Sequence, residues 1–251
     1  MLKRIAVVGT EATLGQTLAE ASSGKGIEVT ELGAAAAVPP TVSAVIGGTG
    51  AVEEVVRVAS IVGLRHEELL YLLAEALDCR ETFAQSSSKR VKEHATRFAI
   101  ALGLDESDQL LLERGALVRD IGKLRISNDV LLKASVLTYD EWIQIQGHPT
   151  KGGEIVAQID ALKDVEEIIR HHHECWDGTG YPNQIEGEAI PYLARAMRIL
   201  DVYCAMTSPR HYRKGTSTHE DALAYLRSER GKHFDPKLVD AFVDGNVGRA
   251  E

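Results

Sequence analysis

The sequence predicts a mainly α-helical protein that begins with a small α/β module. Two observations lead to this fold class. Apolar residues recur at helical spacing from Ala51 onward, and several helix-start signals follow. Residues 1–50 instead show short apolar runs separated by glycine- and alanine-rich stretches, as in alternating strands and helices. We therefore predict an α/β module over 1–50, a helical linker over 51–77 and one helical domain over 78–245.

The N-terminal module is predicted to alternate strands with one helix. Strands are expected at Arg4–Val8, Gly26–Leu32 and Val42–Ile46, and a helix at Thr13–Ala21. The turn Gly9–Gly15 has neither the glycine spacing of a dinucleotide-binding loop nor the lysine of a P-loop. We interpret the module as a truncated receiver-like unit or a docking unit.

The helical part is marked by amphipathic segments and by residues that begin helices. Glu93–Leu102 and Asp108–Val118 have helical spacing, and Gly103 separates them. Helix starts are predicted at two capping boxes, after one proline and at one Asp-Pro pair. They are Thr138 with Glu141, Ser217 with Glu220, Pro191 before Tyr192–Thr207, and Asp235-Pro236.

Length, charge and cysteine content limit the classes of function. The 251 residues, 44% of them hydrophobic, are enough for one large or two small domains. A net charge of −9, spread along the chain, argues against non-specific nucleic-acid binding. The three cysteines form no CxxC pair. Neither a signal peptide nor an apolar run of about 20 residues is seen, so we expect a reduced cytoplasmic protein without membrane contact.

Side chains that bind divalent metals recur at four places in the helical part. The densest is His171–Pro182, HHHECWDGTGYP, where imidazoles and carboxylates adjoin a glycine-rich turn. The others are Asp120 with Lys123, His148, and Asp201. A carboxylate within an apolar run is costly to bury unless a cation accompanies it. Taken in isolation, a salt-bridged core acid explains Asp201 equally well.

The motifs around these residues resemble those of the HD-GYP family, HD-superfamily metal phosphohydrolases that cleave cyclic di-GMP. HHECWDGTGYP (172–182) matches the family's HHExxDGxGYP completely, and RDIGK (119–123) stands where the family has HDIGK. The other matches, in order, are NDVLLK (128–133), HPTKGGEIV (148–156), IPYLARAMRILDVYCAMTSPRHYR (190–213) and GKHFDP (231–236). The resemblance covers about Asp78 to Val243. It implies an HD-superfamily helical bundle and a metal-dependent phosphodiesterase.

Three positions depart from the family pattern. Ser87 stands where a histidine precedes Arg-Val, Arg119 replaces the histidine of the HD pair, and Cys204 replaces the second acid of the DxxDA element. By the resemblance, the first metal keeps only Asp120 and Asp201 as ligands. The second metal keeps a full set, namely Asp120, His148, His172 and His173.

Arg119 is expected to exclude the first metal. A guanidinium stays protonated. At ~4 Å and an effective dielectric constant of ~20, its repulsion of a divalent ion is on the order of 8 kcal/mol. We expect it to bond to Asp120 or Asp201 and to replace part of the metal's charge. The prediction is therefore one divalent metal at most, Fe, Mn or similar, or none.

The resemblance also implies catalytic and substrate-binding residues. Asp120 and Lys123 match catalytic positions, with Lys123 either stabilising a phosphate or pairing with a carboxylate. Positions that contact cyclic di-GMP in the family correspond to Lys133, Tyr181, Arg210 and Arg213. Histidines that match no ligand position, and are expected at the surface, are His171, His211, His219 and His233.

Two functional hypotheses follow, from different classes. An impaired HD-GYP protein would bind cyclic di-GMP or a related nucleotide, or a diguanylate-cyclase-type partner through its GYP loop. An active phosphodiesterase would work with a reduced metal centre. Hydrolysis of another phosphate ester is a third, weaker reading. The apolar helix around Leu69–Leu77, expected to be exposed, is a candidate surface for a homodimer.

Overall fold

A computed structural model divides the chain into two compact units, Met1–Arg80 and Glu81–Glu251. It describes residues 3–8, 27–32, 44–46, six helical residues between 70 and 78, 87–208 and 217–249. We call the first the N-terminal unit and the second the helical unit. None of the helices in these described ranges is both long and apolar enough to cross a membrane.

The N-terminal unit contains a parallel sheet of three strands, β1 (Lys3–Val8), β2 (Ile27–Leu32) and β3 (Ala44–Ile46). The strand order is β2-β1-β3, and both pairings are parallel. Parallel neighbours need a crossover connection rather than a tight hairpin. The predicted strands are confirmed, with starts displaced by one or two residues. The helix predicted at Thr13–Ala21 and the Gly9–Gly15 turn lie outside the described residues.

The described leucines and alanine of the apolar helical segment that was expected to be exposed are buried. Leu70, Leu73 and Ala74 each expose 1% of their surface, and Leu77 exposes 6%. The expectation of an exposed stripe here is wrong, because the chain itself covers these side chains and so removes their apolar surface from water. The hypothesis of a homodimer through this segment rested on its exposure, and that support is removed.

The described part of the helical unit is built mainly from helices. Its described α-helices are α1 (Ser87–Ala101), α2 (Glu106–Val118), α3 (Asn128–Leu131), α4 (Tyr139–Gln146), α5 (His148–Val156), α6 (Glu166–His171), α7 (Tyr192–Thr207), α8 (His219–Ser228) and α9 (Pro236–Asp244). Short 3-10 helices lie at Ile121–Arg125, Asp160–Val165 and Gly187–Ala189. The predicted mainly helical fold class is confirmed.

Most predicted helix starts are found, and one is displaced. Thr138 and Glu141 form the expected capping box, Pro191 precedes α7, and the Asp235 carboxylate accepts from the first turn of α9. The start predicted at Ser217 is wrong by one residue. Thr218 caps α8 instead, because its hydroxyl accepts from the Asp221 amide at 3.1 Å and the Asp221 carboxylate accepts from the Thr218 amide at 3.0 Å.

Helix α7 is the centre of the helical unit and packs against α1, α2, α6, α8 and α9. Its buried residues Met197 and Leu200 join a core that includes Phe98 and Phe242. The two phenylalanine rings meet edge to face, with centroids 5.1 Å apart. Burying one such side chain contributes roughly 1.5–3 kcal/mol. The same helix carries Asp201, so the core fixes where that carboxylate stands.

Gly122 allows the 3-10 helix Ile121–Arg125 to lie directly on α5. A Cβ at this position would overlap the carbonyl oxygen of His148 and the amide of Gly152. No larger residue fits such a close approach of two backbones. The contact brings Asp120, at the start of the 3-10 helix, next to His148, at the start of α5.

Candidate metal centre

The four residues predicted to hold the second metal lie together. Asp120, His148, His172 and His173 each offer one ligand atom, and these atoms all lie within 4.8 Å of one another. Asp120 precedes the 3-10 helix, His148 begins α5, and the two adjacent histidines follow α6. Such a group of imidazoles with one carboxylate can hold a divalent cation.

His148 and His172 have the hydrogen-bonding pattern of metal ligands. Each Nδ1 lies 2.7 Å from the carbonyl oxygen three residues earlier, that of Ile145 and Ile169 respectively. A carbonyl oxygen only accepts, so each Nδ1 carries the proton and each Nε2 keeps its lone pair. The two Nε2 atoms are 3.4 Å apart, and His148 Nε2 lies 3.3 Å from Asp120 Oδ1. Three electron-pair donors thus converge, an arrangement that a cation stabilises.

The two adjacent histidines are kept neutral by their surroundings. Burial, together with the neighbouring His148, lowers the pKa of His172 to about 4. Burial also lowers the pKa of His173 well below its ordinary range. An imidazole must be neutral to donate to a metal. At neutral pH both rings are therefore in the required protonation state.

On the other side of Asp120, a guanidinium stands between two carboxylates. Arg119 is buried, and its Nε donates to Asp201 Oδ1 at 2.9 Å. Its Nη2 lies 3.3 Å from Asp120 Oδ2, and its Nη1 donates to the carbonyl oxygen of Ala116 at 3.0 Å. Arg119 was expected to bond to Asp120 or Asp201, and it contacts both. The two acids predicted for the first metal thus share a protein cation.

The charges in this group reinforce one another. Burial alone would raise the pKa of Asp120, but Lys123 and Arg119 hold it well below its usual range. Burial likewise opposes ionisation of Asp201, but Arg119 lowers the pKa of that carboxyl. The two carboxylates in turn raise the pKa of Arg119 despite its burial. All three groups are charged at neutral pH, and a metal would have to displace the guanidinium to bind between the acids.

Lys123 is the second cation at Asp120. Its Nζ lies 3.3 Å from Asp120 Oδ2, the oxygen that Arg119 also contacts. Asp120 Oδ1 faces His148 instead. The carboxylate therefore divides the centre, with one oxygen toward the protein cations and the other toward the imidazole nitrogens.

The other two departing positions, Ser87 and Cys204, add no charged ligand in the described structure. Ser87 begins α1, and its side chain lies outside the described residues. Cys204 is buried on α7, and burial raises the pKa of its thiol to about 11. A metal ligand would have to be the thiolate. A neutral thiol does not replace the acid that the family pattern has at this position.

The predicted substrate residues fall into separate places. The Tyr181 ring stacks on His173 at the centre, with centroids 4.8 Å apart and planes 22° apart. Lys133 instead donates to both carboxylate oxygens of Glu141, at 2.8 and 2.7 Å. Arg210 and Arg213 lie outside the described residues. Of the predicted substrate residues that the structure describes, Tyr181 lies at the metal-ligand group and Lys133 does not.

One of the histidines expected at the surface is held within the protein. The His171 side chain is only 11% exposed and lies between Glu167 and Glu174. The surface expectation is wrong for His171, because its ring lies beside partners that the sequence does not reveal. His219, whose Nδ1 lies 2.9 Å from the Tyr203 hydroxyl, and His233 are partly exposed, and His211 lies outside the described residues.

The loop that carries Tyr181 is anchored to the end of α6. The buried Glu174 carboxylate accepts the Asn183 amide at 2.7 Å. The Tyr181 amide donates to the His173 carbonyl oxygen at 3.2 Å. A Cβ at Gly180 would overlap the backbone of Cys175. These contacts hold the tyrosine ring over the histidine, and they leave part of the loop between Asp177 and Ala189 exposed.

The sequence reasoning missed Arg198. This α7 residue places Nη1 3.2 Å from His173 Nδ1 and Nη2 3.8 Å from Cys175 Sγ. A signal was available, because Arg198 interrupts the same apolar run as Asp201 and precedes it by three residues. Residues at that spacing share a helix face. Both should therefore have been expected on the face of α7 that meets the centre.

Comparison with known proteins identifies related sequences. The family model described as HD domain matches residues 71–238. The cyclic di-GMP phosphodiesterase response regulator RpfG of Xanthomonas campestris pv. campestris is 38% identical over 190 residues, which are 73% of this chain and 49% of that protein. The 3'3'-cGAMP-specific phosphodiesterase 2 of Vibrio cholerae is 34% identical over 71% of this chain and 34% of its own length. The chain thus spans half or less of these relatives.

Solved structures share the fold. A cyclic GMP-AMP specific phosphodiesterase of V. cholerae (V-cGAP3) superposes with a TM-score of 0.55 at 24% identity, covering 72% of this chain and 48% of that one. An HDG"Y"P protein of Bdellovibrio bacteriovorus, Bd1817, gives a TM-score of 0.54 at 16% identity, covering 80% and 70%. At this level of identity the likeness concerns the fold alone.

Proposed function

The chain belongs to the HD domain family and, within it, to the HD-GYP proteins, and from this premise we propose that it is a cyclic-dinucleotide-binding signalling protein with impaired hydrolytic activity. The relatives are named as phosphodiesterases of cyclic di-GMP or of 3'3'-cGAMP. Both nucleotides are cyclic phosphodiesters of similar size and charge. The proposed ligand is therefore cyclic di-GMP or a closely related cyclic dinucleotide.

The proposed impairment of hydrolysis rests on one observation, the position of Arg119. Its buried guanidinium lies 2.9 Å from Asp201 and 3.3 Å from Asp120, the two acids that remain of the first metal site. Hydrolysis by two metals uses both cations to neutralise the attacking and leaving oxygens of the phosphate. A guanidinium supplies a fixed positive charge, but it does not bind and acidify water as a metal does.

The remaining centre fits one divalent cation. Asp120, His148 and His172 would hold it, with His173 within reach, and the protons on the Nδ1 atoms of the first two histidines already direct their Nε2 atoms inward. When bound, the metal would supply Lewis-acid charge to a phosphate oxygen. Fe and Mn suit such nitrogen and oxygen donors. Lys123, 3.3 Å from Asp120, would add positive charge on the side of the nucleotide phosphate.

The nucleotide would enter over Tyr181, whose ring lies stacked on His173. Arg210 and Arg213 are proposed to contact its phosphates, because a guanidinium binds phosphate oxygens bidentately. Lys133 would join them by exchanging its present partner Glu141 for a phosphate. The exposed part of the loop between Asp177 and Ala189 is the proposed surface for a diguanylate-cyclase-type partner.

The test restores the two missing imidazoles. Ser87→His with Arg119→His is expected to raise the metal content from one ion to two per chain and to raise cyclic di-GMP turnover with Mn²⁺ or Fe²⁺. Arg125→His is the matched control, because Arg125 is paired with Glu154 at a distance of 2.9 Å and is not one of the candidate ligands. Two tightly bound ions in the unmodified protein, with strong turnover, would overturn the proposed impairment.

A second candidate function is an active phosphodiesterase that uses the single centre. The convergence of Asp120 and the imidazole nitrogens, with Lys123 beside them, favours it. On this reading the unmodified protein turns over cyclic di-GMP with one metal, and Lys123→Met slows it. If only other phosphate esters are hydrolysed, the third reading of the sequence gains support instead.

A further inference from the structure

We propose that Arg198 is a positioning residue that withholds His173 from the metal and keeps the centre at three protein ligands. This inference deepens the proposed function and rests on it for the identity of the cation. Its physical basis is the contact between Arg198 Nη1 and His173 Nδ1, 3.2 Å apart. The motif of the HD-GYP family does not specify a residue at this position.

The contact determines which nitrogen of His173 carries the proton. A guanidinium has N–H donors and no acceptor. The bond to Arg198 therefore exists only when Nδ1 of His173 presents its lone pair. In a neutral imidazole the proton must then be on Nε2. One ring nitrogen is occupied by the arginine and the other bears hydrogen, so neither is available to a cation while the bond persists.

The other two histidines have the opposite arrangement. The Nδ1 atoms of His148 and His172 face carbonyl oxygens at 2.7 Å and must be donors. Their Nε2 atoms are therefore free to bind a metal, and they lie 3.4 Å from each other. Adjacent residues of the HH pair thus differ in tautomer, although the sequence makes them look equivalent. The difference arises from what lies behind each ring, an acceptor in one case and a donor in the other.

Arg198 and His173 are each held from more than one side. Arg198 lies on α7, the central helix of the unit, and its Nη2 also donates to Cys175 Sγ at 3.8 Å. His173 is covered on one face by the Tyr181 ring. A ring packed in this way does not turn freely to exchange its two nitrogens. The observed bond is thus a built feature of the site rather than a surface contact.

A three-ligand centre differs in chemistry from a four-ligand one. Each protein ligand that is withheld leaves one more coordination position for water or substrate. With His173 withheld, Asp120, His148 and His172 leave room for a phosphate oxygen of the nucleotide. The Nε2–H of His173 then becomes a hydrogen-bond donor beside Tyr181. Arg198 would therefore favour access of the ligand at the expense of metal affinity.

The first experiment observes the tautomers directly in the metal-free protein. Two-bond proton–nitrogen correlation spectra of the imidazole rings show which nitrogen is protonated. His173 is expected as the Nε2–H form, and His148 and His172 as the Nδ1–H form. Finding His173 in the same form as the other two would overturn the inference. Because no metal is present, this result is independent of the proposed function.

The second experiment measures metal binding in Arg198→Met, with Arg198→Lys and Arg125→Met beside it. The methionine variant should bind Mn²⁺ about tenfold more tightly, within the usual size of outer-shell effects. X-ray absorption should count a third imidazole at the metal in this variant and two in the parent. Arg198→Lys keeps a charged donor and should resemble the parent. Arg125→Met removes an arginine elsewhere and should leave both readings unchanged.

The outcomes separate the two proposals. Three imidazoles in the parent, or no gain of one in Arg198→Met, would overturn the role of Arg198. Absence of metal binding in every variant would instead contradict the proposed metal centre, while the tautomer spectra would still decide the inference. Circular dichroism and a cooperative unfolding transition for each variant exclude misfolding as the cause.

Discussion

The two sides of Asp120 give the same carboxylate opposite surroundings. Toward Asp201 the space between the acids is filled by the guanidinium of Arg119, a cation that belongs to the chain. Toward His148 and His172 the carboxylate meets nitrogen lone pairs, and no protein cation stands between the three donor atoms in the described structure. On the Arg119 side the negative charge of the two acids is already neutralised. On the imidazole side the donor atoms would be neutralised only by an added cation.

The two sides of Asp120 show that a buried arginine can neutralise a pair of acids that a metal could also neutralise. A buried carboxylate pair needs positive charge, and it is satisfied by a metal or by an arginine. Arg119 supplies the two acids with positive charge, but a guanidinium does not bind and acidify water as a metal does. On the imidazole side, His148 at the start of α5 and His172 after α6 still bring their nitrogens together with Asp120.

The largest expected effect follows from breaking the Arg119 side. Asp201→Ala removes the partner at 2.9 Å and leaves the buried guanidinium with Asp120 and the carbonyl oxygen of Ala116. Removing one member of a buried ion pair costs about 3–5 kcal/mol. Urea denaturation of the metal-free protein measures this loss. Asp160→Ala is the control, since that carboxylate is exposed and its loss should not change stability measurably. An Asp201→Ala protein as stable as the parent would contradict a structural role for the bridge.

The next effect is the pH dependence that the imidazole side gives to the metal-free protein. The folded-state pKa of His172 is about 4, below the ordinary 6.5. As the pH falls, His172 is therefore protonated in the unfolded chain before it is protonated in the folded protein. The folded protein is most stable above pH 6.5 with respect to this group, and it loses that stability as the pH falls toward 4. The loss is on the order of 3 kcal/mol. Urea denaturation across this range measures it, and His172→Gln should flatten the dependence. An unchanged slope in that variant would refute the assignment.

A third effect concerns metal affinity, which should depend on the imidazole side alone. His172→Ala removes one of the three converging donors and is expected to weaken Mn²⁺ binding at least ~100-fold, equivalent to ~3 kcal/mol. Isothermal titration calorimetry measures it. His171→Ala, the adjacent histidine outside the ligand group, is the control and should bind as the parent does. Equal losses in both variants would point to a general disturbance of the segment.

The smallest effect is expected away from the centre, at Lys133. Its ion pair with Glu141 is partly exposed to solvent. Such pairs contribute about 0–1 kcal/mol. Lys133→Ala should therefore change stability little but reduce cyclic di-GMP affinity about tenfold if the lysine contacts phosphate. Equilibrium binding of labelled nucleotide measures the second quantity. Unchanged nucleotide affinity would remove Lys133 from the proposed binding residues.

Much of the fold was accessible from local pattern. Helix starts at Thr138, after Pro191 and at Asp235 follow from capping chemistry, which involves neighbouring residues only. The displaced start at Thr218 shows the limit, since two overlapping Ser/Thr-x-x-acid patterns satisfy the same rule. The burial of Leu70 and Leu73 was not accessible, because an apolar face by itself does not say what covers it.

The sequence by itself determined the chemistry available to this protein, namely the order of the motifs, the candidate ligands Asp120, His148, His172 and His173, and the arginine at position 119. These depend on residue type and spacing. Only the tertiary structure decided how that chemistry is arranged. It let Arg119 contact both acids and set Arg198 behind His173. The reason is that such contacts join side chains from distant parts of the chain, and their distances are set by the packing of α7 against the other helices.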